Sequence, residues 1–411
     1  MSVERLAILG GEPAFAPGLP LYGPVSVDSE RLAPEILQIL ASGEFTKGTR
    51  VRQFERALAT QTGAAYAIAF SSGLSAMTLL LQALRLEGEV IVPAYVFPPV
   101  LQAIMAAGLT PRPVDIDADS WNLDPVATEA AVGPRTSAIL AVHTSGFPAA
   151  AAALESIAAR RRLRLIFDAA HAVGARAADR NVGALGSAEV FSFTPSKLVC
   201  GGEGGAVTTA DARLATELQA ARNYGRSVAG DWTGRGASAR QPEISAALAD
   251  RSLQSLETEI ERRGALARTY RAALNDIPGI GFQSSLPGTF PVFRDFSIRV
   301  HAEEFGLSRD ALRSVLESEG VETGAYFSPA VPDLPLARKF MAPGSAAARG
   351  LFPVARAVAA GVVNLPIGHS VSLGHAEMLA RLVRLIQDQV DRVAVRFKTA
   401  SAPRPPADPR T

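Results

Sequence analysis

Short apolar runs alternate with longer segments of helical periodicity between about residues 60 and 210. In the first helical segment, apolar residues recur at Leu79, Leu80 and Ala83, which is the spacing of one helix face. Short apolar runs separated by amphipathic helices are typical of βαβ units, so this region predicts an α/β fold with a mostly parallel sheet and helices on both faces. The runs predicted as strands are residues 66–70, 89–93, 112–116, 137–142, 163–167, 190–193 and 205–208.

The C-terminal part of the chain has a different order of elements, which predicts a smaller α+β domain. Its predicted elements are a helical region at 242–275, a strand at 296–300 and helices at 308–319 and 374–392. We expect an N-terminal segment and a large domain over 1–250 and a small C-terminal domain over 251–397. The last residues, 398–411, are rich in proline, alanine and charge and are expected to form a disordered tail.

The composition narrows the class of protein. With 48% hydrophobic and 20% charged residues, the 411-residue chain has enough apolar material for a large core, which excludes wholesale disorder. The net charge of +1 gives no global attraction to nucleic acid or to an anionic membrane. The single cysteine, Cys200, excludes an internal disulfide and a cysteine-rich metal cage. We expect a cytoplasmic protein with no metal site, no nucleic-acid partner and no membrane-spanning segment.

Three residues that follow predicted strands could carry chemistry. Lys197 lies between an apolar strand and a glycine-rich stretch, where burial would free its amine to form a Schiff base; it could also be a solvated loop lysine. Asp168 ends a strand and could hold the protonated ring nitrogen of a pyridoxal cofactor, or cap a helix. His171 could reach the phenolic oxygen of that cofactor, or be a satisfied core histidine.

A turn of small residues at 71–75 joins a predicted strand to a helix. Free backbone N–H groups at such a turn bind phosphate, although the turn could equally be a plain helix cap. Phe97 follows another strand and could stack on a planar ring, or belong to the core. Neither G-x-G-x-x-G nor G-x-x-x-x-G-K-[ST] occurs in the chain, which argues against a nucleotide-dependent oxidoreductase and a P-loop protein.

The order and spacing of these segments resemble the DegT/DnrJ/StrS family of sugar aminotransferases over about residues 35 to 370. Residues 71–76 are similar to the S-S-G-T-x-A segment of that family, and residues 89–117 to its E-V-I-V-P…V-D-I-D region. The longest matching block is Asp168-Ala169-Ala170-His171-Ala172-Val173-Gly174, which is similar to D-A-A-[HQ]-x-x-G. Lys197 and the Glu203-Gly204-Gly205 sequence follow at the spacing of the family.

The resemblance implies a pyridoxal 5′-phosphate enzyme of fold type I, with a mostly parallel seven-stranded sheet and a smaller C-terminal α+β domain. It implies a homodimer with shared active sites that moves an amino group from an amino acid, glutamate or glutamine, to a ring ketone, most often that of a nucleotide-linked sugar. The residues that match site positions of the family are Lys197 (Schiff base and proton transfer), Asp168 (ring nitrogen), His171 (phenolic oxygen), Phe97 (stacking) and, at the phosphate, Ser72, Gly73, Leu74 and Ser192.

The chain departs from the family pattern at several positions. Leu74 replaces the usual threonine of the phosphate segment, and Ser238 replaces the asparagine that reaches the phosphate of the neighbouring subunit. These departures keep open an acceptor other than a sugar, such as a cyclitol, and a cofactor-binding protein without turnover. Lys197 argues against the related dehydratases, which carry histidine at that position. The expected acceptor walls are residues 22–27, 226–233 and 326–334.

Overall fold

A seven-stranded sheet organises the larger part of the molecule in the computed structural model. The structure describes residues 5–23, 27–227, 229–232, 234–341 and 351–400. In chain order the strands are β1 (Tyr66–Phe70), β2 (Glu89–Pro93), β3 (Thr110–Val114), β4 (Thr136–Val142), β5 (Arg164–Asp168), β6 (Arg176–Ala177), β7 (Arg180–Asn181), β8 (Ala188–Ser192), β9 (Gly205–Thr209), β10 (Ile280–Phe282), β11 (Thr289–Phe290), β12 (Phe296–Val300) and β13 (Val362–Leu365).

Helices connect and cover these strands. They are α1 (Ser29–Ser42), α2 (Thr49–Thr62), α3 (Gly73–Ala83), α4 (Pro99–Ala106), α5 (Pro125–Ala131), α6 (Ala151–Arg161), α7 (Ala212–Ala221), α8 (Glu243–Gln254), α9 (Leu256–Leu274), α10 (Ala302–Phe305), α11 (Arg309–Ser318), α12 (Pro353–Gly361), α13 (Leu373–Asp388) and α14 (Val390–Ala400). Short 3-10 turns lie at Ala7–Leu9, Thr144–Gly146, Val331–Asp333 and Pro335–Lys339.

The central sheet has the strand order β1-β9-β8-β5-β4-β2-β3. Strand β9 runs antiparallel to β1 and β8, and the remaining neighbours are parallel, so the predicted mostly parallel sheet is confirmed. Strands β2 and β9 are buried along their whole length, as expected for a sheet covered on both faces. Along β4, Ile139 and Ala141 pack into the core on one face while Leu140 packs on the other.

The carboxyl ends of the central strands meet at one edge of the sheet. Val142 at the end of β4 is paired with Asp168, which is paired in turn with Val190 of β8. The chain continues from β8 into the loop that carries Lys197. Since ligands of open α/β sheets bind at the carboxyl edge, this register places the candidate residues where a site is expected.

A second hydrophobic cluster surrounds the three-stranded sheet β10-β12-β13. It joins residues of α9, α11 and α13 with Leu6, Phe15 and Leu19 of the N-terminal segment. The segment is fixed there by the buried carboxylate of Glu319, which accepts hydrogen bonds from the N–H groups of Ala7 (2.6 Å) and Ala14 (2.9 Å). The division of the chain at residues 250 and 251 remains a prediction.

Two predicted helices are interrupted in the structure. The helical region expected at 242–275 is broken at Ser255, where φ is −97° and ψ is 3°. The break lets α8 pack Leu253 into the core of the large sheet while α9 carries Leu266 into the second cluster. The last helix breaks at Gln389 between α13 and α14. Helix α14 ends at Ala400, so the predicted tail begins inside a helix, and residues 401–411 lie outside the described residues.

The remaining predicted elements are confirmed with end shifts of about two residues. The largest shift is at β3, which runs from 110 to 114 rather than from 112 to 116. Among the described residues, no helix is long and apolar enough to cross a membrane.

Candidate active site

A cavity of about 570 Å³ opens at the carboxyl edge of the central sheet. Seven of the nine predicted site residues line it, although they come from distant parts of the chain: Gly73, Leu74, Phe97, Asp168, His171, Ser192 and Lys197. Two further predicted residues, Ser72 and Ser238, are not among the lining residues. The fold therefore brings most of the candidates to one place.

Lys197 lies in a tight loop after β8. Its N–H donates to the carbonyl of Thr194 (3.0 Å), and the N–H of Gly201 donates to the carbonyl of Phe193 (2.8 Å), which closes the loop. Burial, together with the positive charge of Arg294, lowers the pKa of the Lys197 amine to about 7. A substantial fraction of the amine is therefore unprotonated near neutral pH, and the unprotonated form is the nucleophile. These surroundings are not those of a solvated loop lysine.

Asp168 ends β5 beneath the cavity and is held by its neighbours. Its carboxylate accepts a hydrogen bond from the N–H of Ala170 (3.0 Å), and its carbonyl accepts one from the N–H of His143 (3.0 Å). Over the described residues 169–175 the chain forms turns and no helix, so Asp168 does not cap a helix. Burial raises the pKa of this carboxyl, whereas the Ala170 N–H and Lys197 oppose the rise. A cationic partner would favour its ionised form.

His171 lies in the turn after Asp168 and is buried. Its ring stacks on Phe327, with 6.1 Å between the ring centroids and 20° between the planes. Burial and the positive charges of Lys197 and Arg294 hold the pKa of the imidazole well below its usual range. Its Nδ1 atom has no hydrogen-bond partner among the described residues and lies 3.9 Å from Asp295 Oδ2.

The N-terminus of α3 forms one end of the cavity. Ser72 caps the helix in a capping box with Ser75, so the N–H groups of Gly73 and Leu74 are those of the first turn, which lack partners within the helix. A Cβ on Gly73 would lie 3.0 Å from that of Ser192, and a Cβ on Gly205 would lie 2.4 Å from the Gly73 nitrogen. Glycine at 73 and 205 therefore lets α3, β8 and β9 approach closely, which suits a phosphate cradle.

Aromatic side chains form the opposite wall. Phe97 is 52% exposed and contacts Phe327 at 5.7 Å between ring centroids. Tyr22 stacks on Tyr326 at 6.5 Å. Phe97 is thus an aromatic surface facing the cavity rather than a core residue.

Of the three expected acceptor walls, two reach the cavity. Tyr22 lines it from the first stretch, and Tyr326 and Phe327 line it from the third. Residues 24–26 of the first stretch lie outside the described residues. None of the described residues of 226–233 is among the lining residues, and 228 and 233 are not described.

Sequence reasoning missed Arg294 and Asp295. Arg294 lines the cavity and is buried, with Asp295 and Tyr22 as its partners. Both lie about 100 residues beyond Lys197, in the turn before β12, and no motif marks them. The one available signal is an adjacent pair of opposite charges between apolar residues, in Val292-Phe293-Arg294-Asp295-Phe296.

The chemistry of the cavity matches each part of the pyridoxal phosphate that the resemblance implies. Free N–H groups at Gly73 and Leu74 suit a phosphate, and the partly buried carboxylate of Asp168 suits a ring nitrogen that carries a proton. Phe97 offers a half-exposed aromatic face, and Lys197 offers a nucleophilic amine. The residues present therefore fit this group.

Comparison with known proteins agrees with this chemistry. The model of the DegT/DnrJ/EryC1/StrS aminotransferase family matches residues 27–384. The chain is 36% identical over 360 residues to dTDP-3-amino-3,4,6-trideoxy-alpha-D-glucose transaminase of Streptomyces venezuelae, an alignment that covers 87% of this chain and 92% of the relative.

Two solved structures are similar over nearly the whole chain. DesI with its TDP-sugar product has a TM-score of 0.89 and 35% identity, covering 97% of this chain and 100% of that one. 3-Amino-5-hydroxybenzoic acid (AHBA) synthase has a TM-score of 0.84 and 30% identity, covering 91% of this chain and 100% of that one. The similarity thus extends over the seven-stranded sheet and the sheet β10-β12-β13.

Proposed function

The chain belongs to the DegT/DnrJ/EryC1/StrS aminotransferase family and is a pyridoxal-phosphate-dependent aminotransferase, and on this premise we propose that its acceptor is a ring ketone of a nucleotide-linked sugar. The observation that carries this proposal is the likeness to two nucleotide-sugar enzymes, at 36% and 35% identity over most of the chain. The product would be an amino sugar for natural-product biosynthesis. The proposed donor is glutamate or glutamine.

The roles of the side chains follow from their environments. When bound, pyridoxal phosphate would supply an electron sink and would carry the amino group between donor and ketone. Lys197 Nζ would hold the cofactor and move a proton to and from the substrate carbon, for which a pKa of about 7 is well suited. The Asp168 carboxylate would keep the ring nitrogen protonated. His171 would orient the phenolic oxygen.

The remaining residues bind the cofactor and border the space for the acceptor. The N–H groups of Gly73 and Leu74, with the hydroxyl of Ser192, would bind the phosphate at the N-terminus of α3. Ser72, whose hydroxyl is bonded to Ser75, would act by capping that helix. Phe97, which lines the cavity with an exposed aromatic face, would stack on the ring and exclude water from it. The aromatic side chains of Tyr22 and Tyr326 then border the space left for the acceptor.

A second candidate acceptor is a ring ketone that is not a sugar. It is favoured by the 30% identity to AHBA synthase and by the aromatic residues that line the cavity. A cofactor-binding protein without turnover is disfavoured, because the lowered pKa of the Lys197 amine gives it a substantial unprotonated fraction near neutral pH and because the family is one of aminotransferases.

We also propose a homodimer in which each subunit completes the site of the other, located in the cytoplasm. Ser238 supports the shared site because it is exposed and lies outside the cavity of its own chain. Exposed apolar side chains nearby in the fold also favour a partner surface: Phe45 and Ile244 are brought together by the hydrogen bond from the Glu243 N–H to the Phe45 carbonyl (2.9 Å).

The test is the visible absorption spectrum of the purified enzyme, with Lys197→Ala as the control. We expect glutamate or glutamine to bleach the cofactor band of the wild-type protein and a nucleotide-linked keto sugar to restore it. The variant should show neither change, because it lacks the amine that moves the proton.

The other outcomes discriminate among the candidates. A band restored only by cyclitol or other non-sugar ring ketones would replace the sugar proposal with the second candidate. A band that no amino donor bleaches would contradict turnover with the tested donors.

A further inference from the structure

A buried ion pair contacts the loop of Lys197 and lies close to His171. Arg294 and Asp295 are adjacent in the turn before β12 and are only 5% and 2% exposed. Buried arginine and aspartate are stable only when paired and hydrogen-bonded, so each of their contacts constrains the turn.

The turn that carries Arg294 and Asp295 is held in place by hydrogen bonds from α9. The guanidinium of Arg263 donates to the carbonyls of Phe293 (3.3 Å) and Arg294 (2.8 Å). Arg263 is in turn paired with Glu259 (2.6 Å). The backbone that carries the ion pair is therefore held against the second cluster, not left to the loop alone.

Arg294 forms two hydrogen bonds to the loop that carries Lys197. Its Nε donates to the carbonyl of Ser196 (3.3 Å) and its Nη2 to the hydroxyl of the same residue (2.8 Å). Since Ser196 directly precedes Lys197, the planar guanidinium fixes both the position and the orientation of the peptide that carries the amine.

Asp295 faces His171. One carboxylate oxygen, Oδ1, accepts hydrogen bonds from Arg294 and from the hydroxyl of Tyr22 (2.8 Å). The other, Oδ2, is buried without a partner among the described residues and lies 3.9 Å from His171 Nδ1, which also lacks one. Two buried polar atoms that lack partners carry a free-energy cost, which a closure of about 1 Å would remove by forming a hydrogen bond.

We propose that the Arg294–Asp295 ion pair is the positioning device of this site, in which Arg294 holds the Lys197 loop and Asp295 orients the imidazole of His171. Neither residue needs to touch substrate for this role. The inference rests on Lys197 being the reactive amine, and it does not depend on which ketone accepts the amino group.

The opposite charges of Arg294 and Asp295 predict that their removal shifts the pKa of Lys197 in opposite directions. The charged groups that act on the pKa of Lys197 are the cation Arg294 and the carboxylates Asp168 and Asp295. His171 also faces Lys197 and would be a cation if it were protonated. Arg294 lowers the pKa of the Lys197 amine, so its removal should raise that pKa. Asp295 raises the pKa, so its removal should lower it, and it would also leave Arg294 without its counter-charge.

The experiment measures Lys197 directly. The chain has only four lysines, Lys47, Lys197, Lys339 and Lys398, so the full-length, cofactor-free protein labelled with ¹³C-lysine gives few signals to titrate by NMR, and Lys197→Ala assigns the one of interest. We expect Arg294→Gln to raise the pKa of Lys197 by about one unit or more and Asp295→Asn to lower it. In the loaded enzyme, the pH midpoint of the visible absorption should move in the same two directions.

Two further variants separate positioning from damage to the fold. Arg294→Lys keeps the cation and should restore most of the wild-type midpoint, which a defect of packing alone would not do. Glu89→Gln removes another buried, arginine-paired carboxylate at the opposite edge of the sheet and should leave the Lys197 pKa unchanged.

The proposal is overturned if Arg294→Gln and Asp295→Asn shift the midpoint in the same direction, or if neither shifts it. Unfolding of Arg294→Gln leaves Asp295→Asn and Arg294→Lys to decide. Failure of the proposed function looks different, because an enzyme with the wrong acceptor would still show the opposite shifts of Lys197.

Discussion

Leu74 shows how a single side chain departs from its family while the site keeps its geometry. It is the second residue of α3, lines the cavity and is 43% exposed. Its N–H occupies the same place that a threonine would give it, because helix geometry alone determines that position. What the substitution removes is a hydroxyl that could donate a further hydrogen bond to phosphate.

Restoring that hydroxyl should tighten cofactor binding. We expect Leu74→Thr to lower the dissociation constant of pyridoxal phosphate about three- to tenfold relative to Leu74→Val, since one hydrogen bond to a charged group contributes on the order of 1 kcal/mol. Valine has the shape of threonine without the hydroxyl, so the comparison isolates the hydrogen bond. Equal affinities, measured by fluorescence titration, would show that position 74 acts through its backbone alone.

At the scale of elements, the phosphate end of the cavity depends on α3, β8 and β9. These three elements approach so closely that no side chain fits between them at Gly73 and Gly205. The N-terminus of α3 lies against β9 at Gly205 and against β8 at Ser192. Because the strands are buried on both sides, they cannot move apart without opening the core. The position of α3 is therefore a property of the sheet as much as of the helix.

Gly205→Ala should displace the N-terminus of α3. The new Cβ would lie 2.4 Å from the Gly73 nitrogen and 2.5 Å from the Ser72 carbonyl carbon, both of them backbone atoms. We expect a loss of about 1 to 3 kcal/mol in the free energy of unfolding, measured by urea denaturation, together with weaker binding of pyridoxal phosphate. Gly133→Ala, whose Cβ would meet nothing closer than 3.7 Å, should change neither. Identical behaviour of the two variants would contradict the packing argument.

Many of the strands and helices are predicted by the sequence. The seven strands of the large sheet are predicted from apolar runs, because most of their residues pack into the core between the two helix layers and are apolar. The breaks at Ser255 and Gln389 are not predicted, since neither proline nor glycine marks them. Each break depends on which core the next turn packs against, and that information is not local.

At the scale of the whole molecule, the site joins parts of the chain that pack into different cores. Lys197 and Asp168 come from the large sheet, Tyr22 follows the N-terminal segment, and Arg294 precedes β12 of the second cluster. Several large apolar side chains are exposed on the molecule, among them Phe45 (52%) and Trp232 (72%). Exposed apolar side chains that lie together are typical of protein interfaces, which agrees with the proposed homodimer.

We expect sedimentation equilibrium to give a mass of about 86 kDa, twice the 43.0 kDa of one chain. Ser238→Ala should weaken cofactor binding even though Ser238 lies outside the cavity of its own subunit, because its hydroxyl would serve the site of the partner. Ser285→Ala, at another exposed serine, is the control and should have no effect. A stable monomer that turns over would contradict the shared site.

The sequence by itself indicated the family and its cofactor chemistry, and it supplied the candidate site residues. Lys197, Asp168 and His171 follow two predicted strands and lie within one stretch of 30 residues, at the spacing of the family. Such residues can be recognised from the sequence because the strand, the turn that follows it and the site residues are close together in the chain.

Only the tertiary structure decided how those residues are held. Arg294, Asp295 and Tyr22 surround Lys197 and His171, yet they come from segments about 100 or more residues away and carry no motif. The lowered pKa of Lys197 has the same origin, since burial and the nearby guanidinium exist only once the N-terminal segment and the turn before β12 pack against the large sheet. Electrostatic surroundings depend on distance in space, which the order of residues does not determine.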